Sequence, residues 1–281
     1  MGGIEDRRRG GGRGVAVGGG GLGLAGIVVY LLISLLGGGA SGVSIDPSIG
    51  PFQPTPEAQG QAIPADADPE RRQKEFVGFV VADVQKTWVR VFERSNRRYE
   101  PTTLVLFQQA TTSGCGAASA ATGPFYCPLD RKVYLDLGFF RELATKYGAP
   151  GDFAQAYVIA HEFGHHVQNL LGINAQVRRG QQAKPDEANA LSVRLELQAD
   201  CFAGVWGHSA YRDRLLESGD LEEGLAAATA VGDDRIQRET RGRADPESFT
   251  HGSAEQRTRW FLRGFETGDS NDCDTFSGDE V

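Results

Sequence analysis

The sequence predicts an α+β fold, predominantly helical with a small β-sheet, set behind an N-terminal transmembrane helix. Three features carry this prediction. Five stretches after position 68 repeat apolar residues every three or four positions, two short runs alternate instead, and one uncharged apolar run near the start is isolated between glycines. The chain has 281 residues, 40% hydrophobic and 23% charged, which suits one sizeable domain plus appendages. A net charge of −8 with scattered basic residues excludes a nucleic-acid partner.

The one basic cluster is Arg7, Arg8, Arg9 and Arg13, and no charged residue follows until Asp46. Between them lies "LGLAGIVVYLLISLLGG", residues 22 to 38, just long enough to span a bilayer with help from flanking residues. Basic residues before the run and none after it predict a cytoplasmic N-terminus and an extracytoplasmic body. Residues 1–20 are then a cytoplasmic Gly/Arg-rich tail, and 21–38 a transmembrane signal anchor at the cell membrane. The alternative is a cleaved signal peptide, since "GGGASG" offers small residues, although no A-x-A site stands there. Residues 39–67 form a flexible linker rich in Gly, Pro, Ala and Ser.

The folded domain is expected over 68–270. Asp68 reads as an N-cap and Pro69 as the first helical residue. Phe76, Val80, Val84, Trp88 and Val91 then recur at helical spacing to about Glu93, with Phe79 and Phe92 alongside. "TTLVLF" (102–107) reads as a strand, and "RKVYLDLGFF" (131–140) as a strand passing into a helix. Further helices are expected at 151–171, ended by Gly172, and at 186–206, 220–239 and 253–268. The acidic tail, 271–281, is expected to be mobile apart from Cys273.

Four cysteines, Cys115, Cys127, Cys201 and Cys273, suit two disulfides in an exported chain, and three pairings are possible. Cys115 and Cys127 lie close together in a Gly/Pro-punctuated loop, so they are paired, leaving Cys201 with Cys273. No C-x-x-C spacing is present, which argues against cysteine metal ligation.

The sharpest signal is "AHEFGHH", with His161, Glu162 and His165. Positions four apart on a helix share a face, so His161 and His165 can direct ring nitrogens at one ion. Glu162 sits about 100° round the axis, placed to touch a water on that ion and take its proton. Apolar Val158, Ile159 and Ala160 before the motif, and Val167, Leu170 and Leu171 after it, imply a buried helix. Burying such groups without a metal or partners is costly. Two histidines do not complete a catalytic zinc site. "LELQADCFAGVW" offers Glu196 as the third ligand and Asp200 one turn later, to fix the tautomer of a bound imidazole. His166 reads as a packing residue and His208 as a surface one. His251 and Arg257, at the start of the last helix, could hydrogen-bond an oxyanion, or His251 could be an ordinary cap-region residue.

"AHEFGHHVQNLLG", "LELQADCFAGVW", "SGCG…GPFYCP…VYLDLGFF" and "FTHGSAEQR" together resemble the bacterial "putative neutral zinc metallopeptidase" family, whose members often carry an N-terminal membrane segment. The resemblance spans about residues 70–270 and the Arg/Gly-rich start. It implies a zincin-like fold and a gluzincin-type site. His161, His165 and Glu196 match the ligands of one Zn2+, and Glu162 matches the catalytic glutamate. The E-x-x-A-D pattern is similar to that of membrane-associated gluzincins, which have a later "H-P" histidine and an arginine six residues on. His251 and Arg257 keep that spacing, with Gly252 in place of the proline.

The expected function is zinc-dependent endopeptidase activity by a membrane-tethered extracytoplasmic domain. Its partners would be a peptide or protein substrate and the lipid bilayer through residues 21–38. An extended substrate is expected to add to the edge of "TTLVLF" or "KVYLDL". The alternative is a non-catalytic envelope scaffold with a structural zinc.

Overall fold

The computed structural model describes residues 3–8, 63–64 and 66–278. The expected anchor at 21–38 and most of the linker lie outside these residues. Among those described, no helix is long and apolar enough to cross a membrane.

The first helix, α1 (Arg71–Arg94), buries Val77, Val80, Val81, Val84, Trp88 and Phe92. The apolar face is rotated from the expected stripe: Phe79 is 55% exposed, and Phe76 and Val91 lie at the margin. The helix starts at Arg71 rather than Pro69, and the Asp68 carboxylate both accepts from the Glu70 N–H at 2.9 Å and pairs with Arg8 at 2.6 Å.

Strands β2 (Thr103–Phe107) and β6 (Lys132–Asp136) form where expected, parallel and adjacent. Alternation sends their side chains to two faces. Leu104, Leu106, Val133 and Leu135 enter the main core, while Val105, Phe107 and Tyr134 join a smaller one with Phe125. A hairpin of β3 (Ala110–Ser113) and β4 (Gly116–Ser119) precedes β5 (Phe125–Cys127), which pairs antiparallel with β6. The Cys115–Cys127 disulfide closes this region.

The fourth strand lies in the expected tail. β1 (Ile4–Asp6) pairs parallel with β2, giving the order β1-β2-β6-β5. Residues 3–8 are therefore part of the folded domain rather than a free tail. Charge pairs hold them: Arg8, its side chain 1% exposed, contacts Asp6 at 2.8 Å, Asp68 at 2.6 Å and Glu70 at 2.9 Å. Lys132 reaches Glu5 at 2.7 Å. β2 is thus covered on both sides and β6 is central. Neither offers an edge to a substrate, and the expectation of strand addition there is corrected: the end strands are β1 and β5.

The rest is helical: α2 (Gly138–Thr145), α3 (Asp152–Leu170), α4 (Ile173–Ala183), α5 (Ala188–Arg212), α6 (Asp220–Ala230), α7 (Asp233–Arg241) and α8 (Ala254–Thr267). The helix expected over 220–239 breaks at Gly232, which is extended with ψ 137°. A capping box of Ser253 and Gln256 starts α8. α3 lies at the centre, packed on α1, α5 and α6. α5 and α8 touch backbone to backbone: a Cβ built on Gly204 would reach Phe261 O at 2.0 Å, and one on Gly264 would reach Cys201 O at 2.0 Å. The second expected disulfide, Cys201–Cys273, pins the C-terminal segment to this crossing. Order extends past Cys273, since Thr275 is buried and its hydroxyl donates to Arg194 O at 2.6 Å.

Candidate metal centre

His161, Glu162 and His165 occupy consecutive turns of α3, and Glu196 and Asp200 occupy consecutive turns of α5. The helices must approach closely for these groups to meet. They do so at Gly164, where a built Cβ would stand 2.9 Å from Ala199 O and 3.1 Å from Ala199 Cα. Only the Ala199 methyl lies between the two helices there. Glu196, one turn before Ala199, then reaches both imidazoles: Oε2 lies 3.1 Å from His161 Nε2, and Oε1 lies 3.4 Å from His165 Nε2.

The ring orientations are set from behind. His161 Nδ1 donates to Asp200 Oδ1 at 2.8 Å, and His165 Nδ1 donates to Gln168 Oε1 at 2.8 Å. Both rings therefore turn Nε2 toward Glu196. Gln168 is held in turn, donating to Leu195 O at 2.6 Å. Asp200 is fully buried and has several donors. It accepts from Tyr157 Oη at 2.6 Å, Arg257 Nε at 2.8 Å and Arg257 Nη2 at 2.9 Å. Such outer contacts fix tautomer and ring angle in metal sites.

Charge follows this wiring. Burial opposes ionisation of Asp200, but Arg257 and His161 outweigh it and hold the carboxyl at about 2. Burial opposes protonation of His161, but Asp200 and Glu196 outweigh it and push the imidazole up to about 10. Burial would raise Glu196, yet the two imidazoles hold it well below the usual carboxylate range. Glu162, 8% exposed, is pushed up chiefly by burial.

One ligand atom each from His161, His165 and Glu196 fit within 4.8 Å of one another. Two imidazole nitrogens and a carboxylate oxygen form a donor set suited to zinc, the three protein ligands that a catalytic site would use. The set forms one side of a cleft of about 240 Å3, also lined by Glu162, His251 and Arg257.

His251 and Arg257 part company. His251 Nδ1 donates to Asp233 Oδ1 at 3.2 Å, and Asp233 also accepts from the backbone N–H of Thr250, His251 and Gly252. Arg257 commits Nε and Nη2 to Asp200 and Nη1 to Val231 O at 3.1 Å. His166 does not join the ligands: its Nε2 donates to Glu100 O at 2.7 Å. His208 is half-buried, with Nδ1 donating to Phe265 O at 2.8 Å. Sequence reasoning passed over Tyr157, Gln168 and Asp233. Tyr157 had a signal, lying four residues before His161, and Gln168 lies three after His165. Asp233 had none near His251.

With the ligand geometry set out, comparison with known proteins decides the family. Residues 1–276 match the family described as "Putative neutral zinc metallopeptidase". The chain belongs to this family. It is 48% identical over 278 residues to the uncharacterized protein YpfJ of Escherichia coli K12, covering 97% of this chain and 95% of that one. It is also 49% identical over 187 residues to the uncharacterized proteins Mb2605 of Mycobacterium bovis and Rv2575 of Mycobacterium tuberculosis, covering 63% of this chain and 62% of each. No solved structure matches the chain. Membership of a zinc metallopeptidase family agrees with the donor set that α3 and α5 bring together.

Replacing glycine by alanine inside a helix ordinarily stabilises it by about 1 kcal/mol. Gly164→Ala is expected to do the reverse. The added methyl must push α3 off Ala199, costing roughly 1–3 kcal/mol as overpacking and moving Glu196 away from the imidazoles. Thermal unfolding and zinc titration check this. An unchanged zinc affinity with a raised melting temperature contradicts the close approach.

Proposed function

We propose that the chain is a zinc-dependent endopeptidase on a zincin-like domain, with one Zn2+ held by His161, His165 and Glu196. The observation that carries this reading is the meeting of three ligand atoms within 4.8 Å beside the buried carboxylate of Glu162. Bound there, zinc supplies a Lewis acid that polarises a carbonyl and makes water more acidic. Glu162 receives the proton from the attacking water and passes it to the leaving amine. Burial raises its proton affinity, which favours its taking a proton. A structural site has no use for such a base.

His251 stabilises the oxyanion. Asp233 anchors its Nδ1, which leaves Nε2 for a substrate oxygen, and their pairing favours the protonated ring against the cost of burial. Arg257 works one step back. Its guanidinium holds Asp200, which holds His161, so we assign it as a positioning residue. An extended substrate pairs with the free edge of β5, whose Phe125 and Tyr126 line the cleft.

The proposal includes location. Two disulfides favour an oxidising compartment outside the cytoplasm. Because β1 and Arg8 are built into the domain, residues 3–8 and 66–278 share one compartment. This departs from the expected cytoplasmic N-terminus, while contact of the apolar run 21–38 with the lipid bilayer stays part of the proposal.

Two experiments test these points. Glu162→Gln in the full chain should retain stoichiometric zinc and lose cleavage of a mixed peptide library by about 10²-fold or more. Equal cleavage by both proteins removes the base. For location, protease added to intact spheroplasts should reach residues 1–8 and the domain together once the fold is loosened by reductant. Domain peptides released while residues 1–8 stay protected would place them on opposite sides.

A further inference from the structure

Helix α4 brings two polar groups to the cleft that the zinc reading does not use. Asn174 and Arg178, one turn apart, both line it. Asn174 is 7% exposed. Its Nδ2 donates to His165 O at 3.5 Å, but Oδ1 is buried with no hydrogen-bond partner among the described residues. Arg178 Nε is buried and equally unpartnered among them. Buried polar atoms are nearly always satisfied, so two left open on one wall call for a ligand.

The charges around the cleft indicate its kind. Its other guanidinium, Arg257, is taken by Asp200. Of its three carboxylates, Glu196 faces the imidazoles, Asp233 holds His251 and the backbone beside it, and Glu162 lies beside the imidazoles in the chain as the proposed base. No described carboxylate pairs with Arg178. Its planar fork suits a carboxylate, and Asn174 Oδ1 suits an N–H next to it.

We propose that Asn174 and Arg178 form a substrate subsite in which Arg178 binds a carboxylate and Asn174 Oδ1 accepts a backbone N–H of the same peptide. This deepens the peptidase reading by naming a substrate class, peptides with a carboxylate a short distance from the bond at the zinc. That carboxylate is either an acidic side chain or the free C-terminus. The cleft is also lined by buried Phe125 and Leu195, and a carboxylate paired with Arg178 in such surroundings discriminates against neutral peptides.

The test reads binding, so it does not depend on turnover. Full-length zinc-loaded Glu162→Gln protein is titrated with three fluorescein-labelled peptide pools by anisotropy. One pool has free C-termini and lacks Asp and Glu. The second is amidated with one internal Glu, and the third is amidated and lacks Asp and Glu. The expected result is about ten- to a hundredfold tighter binding of the first or the second pool than of the third. The favoured pool identifies the source of the carboxylate. Adding Arg178→Met should abolish that preference, and Arg178→Lys should restore part of it, with zinc content and thermal unfolding confirming the fold of each variant. Equal binding of all three pools, or an unchanged preference in Arg178→Met, overturns the subsite. Selective binding with no cleavage by the parent protein would tell against the peptidase reading and leave the subsite standing.

Discussion

The close passage of α3 over α5 at Gly164 and Ala199 governs the rest of the site. A carboxylate and two imidazoles can meet only if the helices carrying them approach to backbone contact. Glycine on one side and alanine on the other permit that. A second close crossing, α5 against α8 at Gly204 and Gly264, brings Arg257 under Asp200. The meeting of the candidate metal ligands therefore follows from two helix crossings, each made possible by glycine or alanine at the point of contact.

Close crossings bury charge, and the buried charge is matched group by group. Asp200 is surrounded by donors from α3, α5's own crossing partner α8, and the ring of His161. Removing one member would leave an uncompensated ion in the interior, a loss of several kcal/mol in comparable cases. The network also explains why a guanidinium so near the cleft serves structure: its fork is already filled by Asp200. Asn174 and Arg178, left open on the facing wall, stand out against that background.

Much of this was legible in the sequence where the signal is local. His161, Glu162 and His165 declare themselves by helical spacing, and both expected strands form within their expected stretches. Glu196 and Asp200 could be offered as candidates from their spacing on a second apolar helix, and the family resemblance then matched Glu196 to a ligand position, because nothing local says which distant helix approaches α3. The strand at Ile4–Asp6 escaped because three residues without apolar alternation carry no strand period. Its pairing rests on Arg8, Asp68 and Glu70, far apart in sequence. The same strand closed the edge of β2. His251 and Arg257 were read from their place at the start of the last helix and from the spacing of the resemblance, neither of which can report that Asp200 engages Arg257.

The most direct measurement is X-ray absorption at the zinc edge of the full chain. The account predicts one zinc per chain, with two imidazole nitrogens and one carboxylate oxygen at about 2.0–2.2 Å and one further light ligand. Loss of the carboxylate contribution in Glu196→Ala should follow, with both imidazoles kept. A shell with a single imidazole, or an unaltered spectrum in that variant, would contradict the convergence of α3 and α5 on one ion.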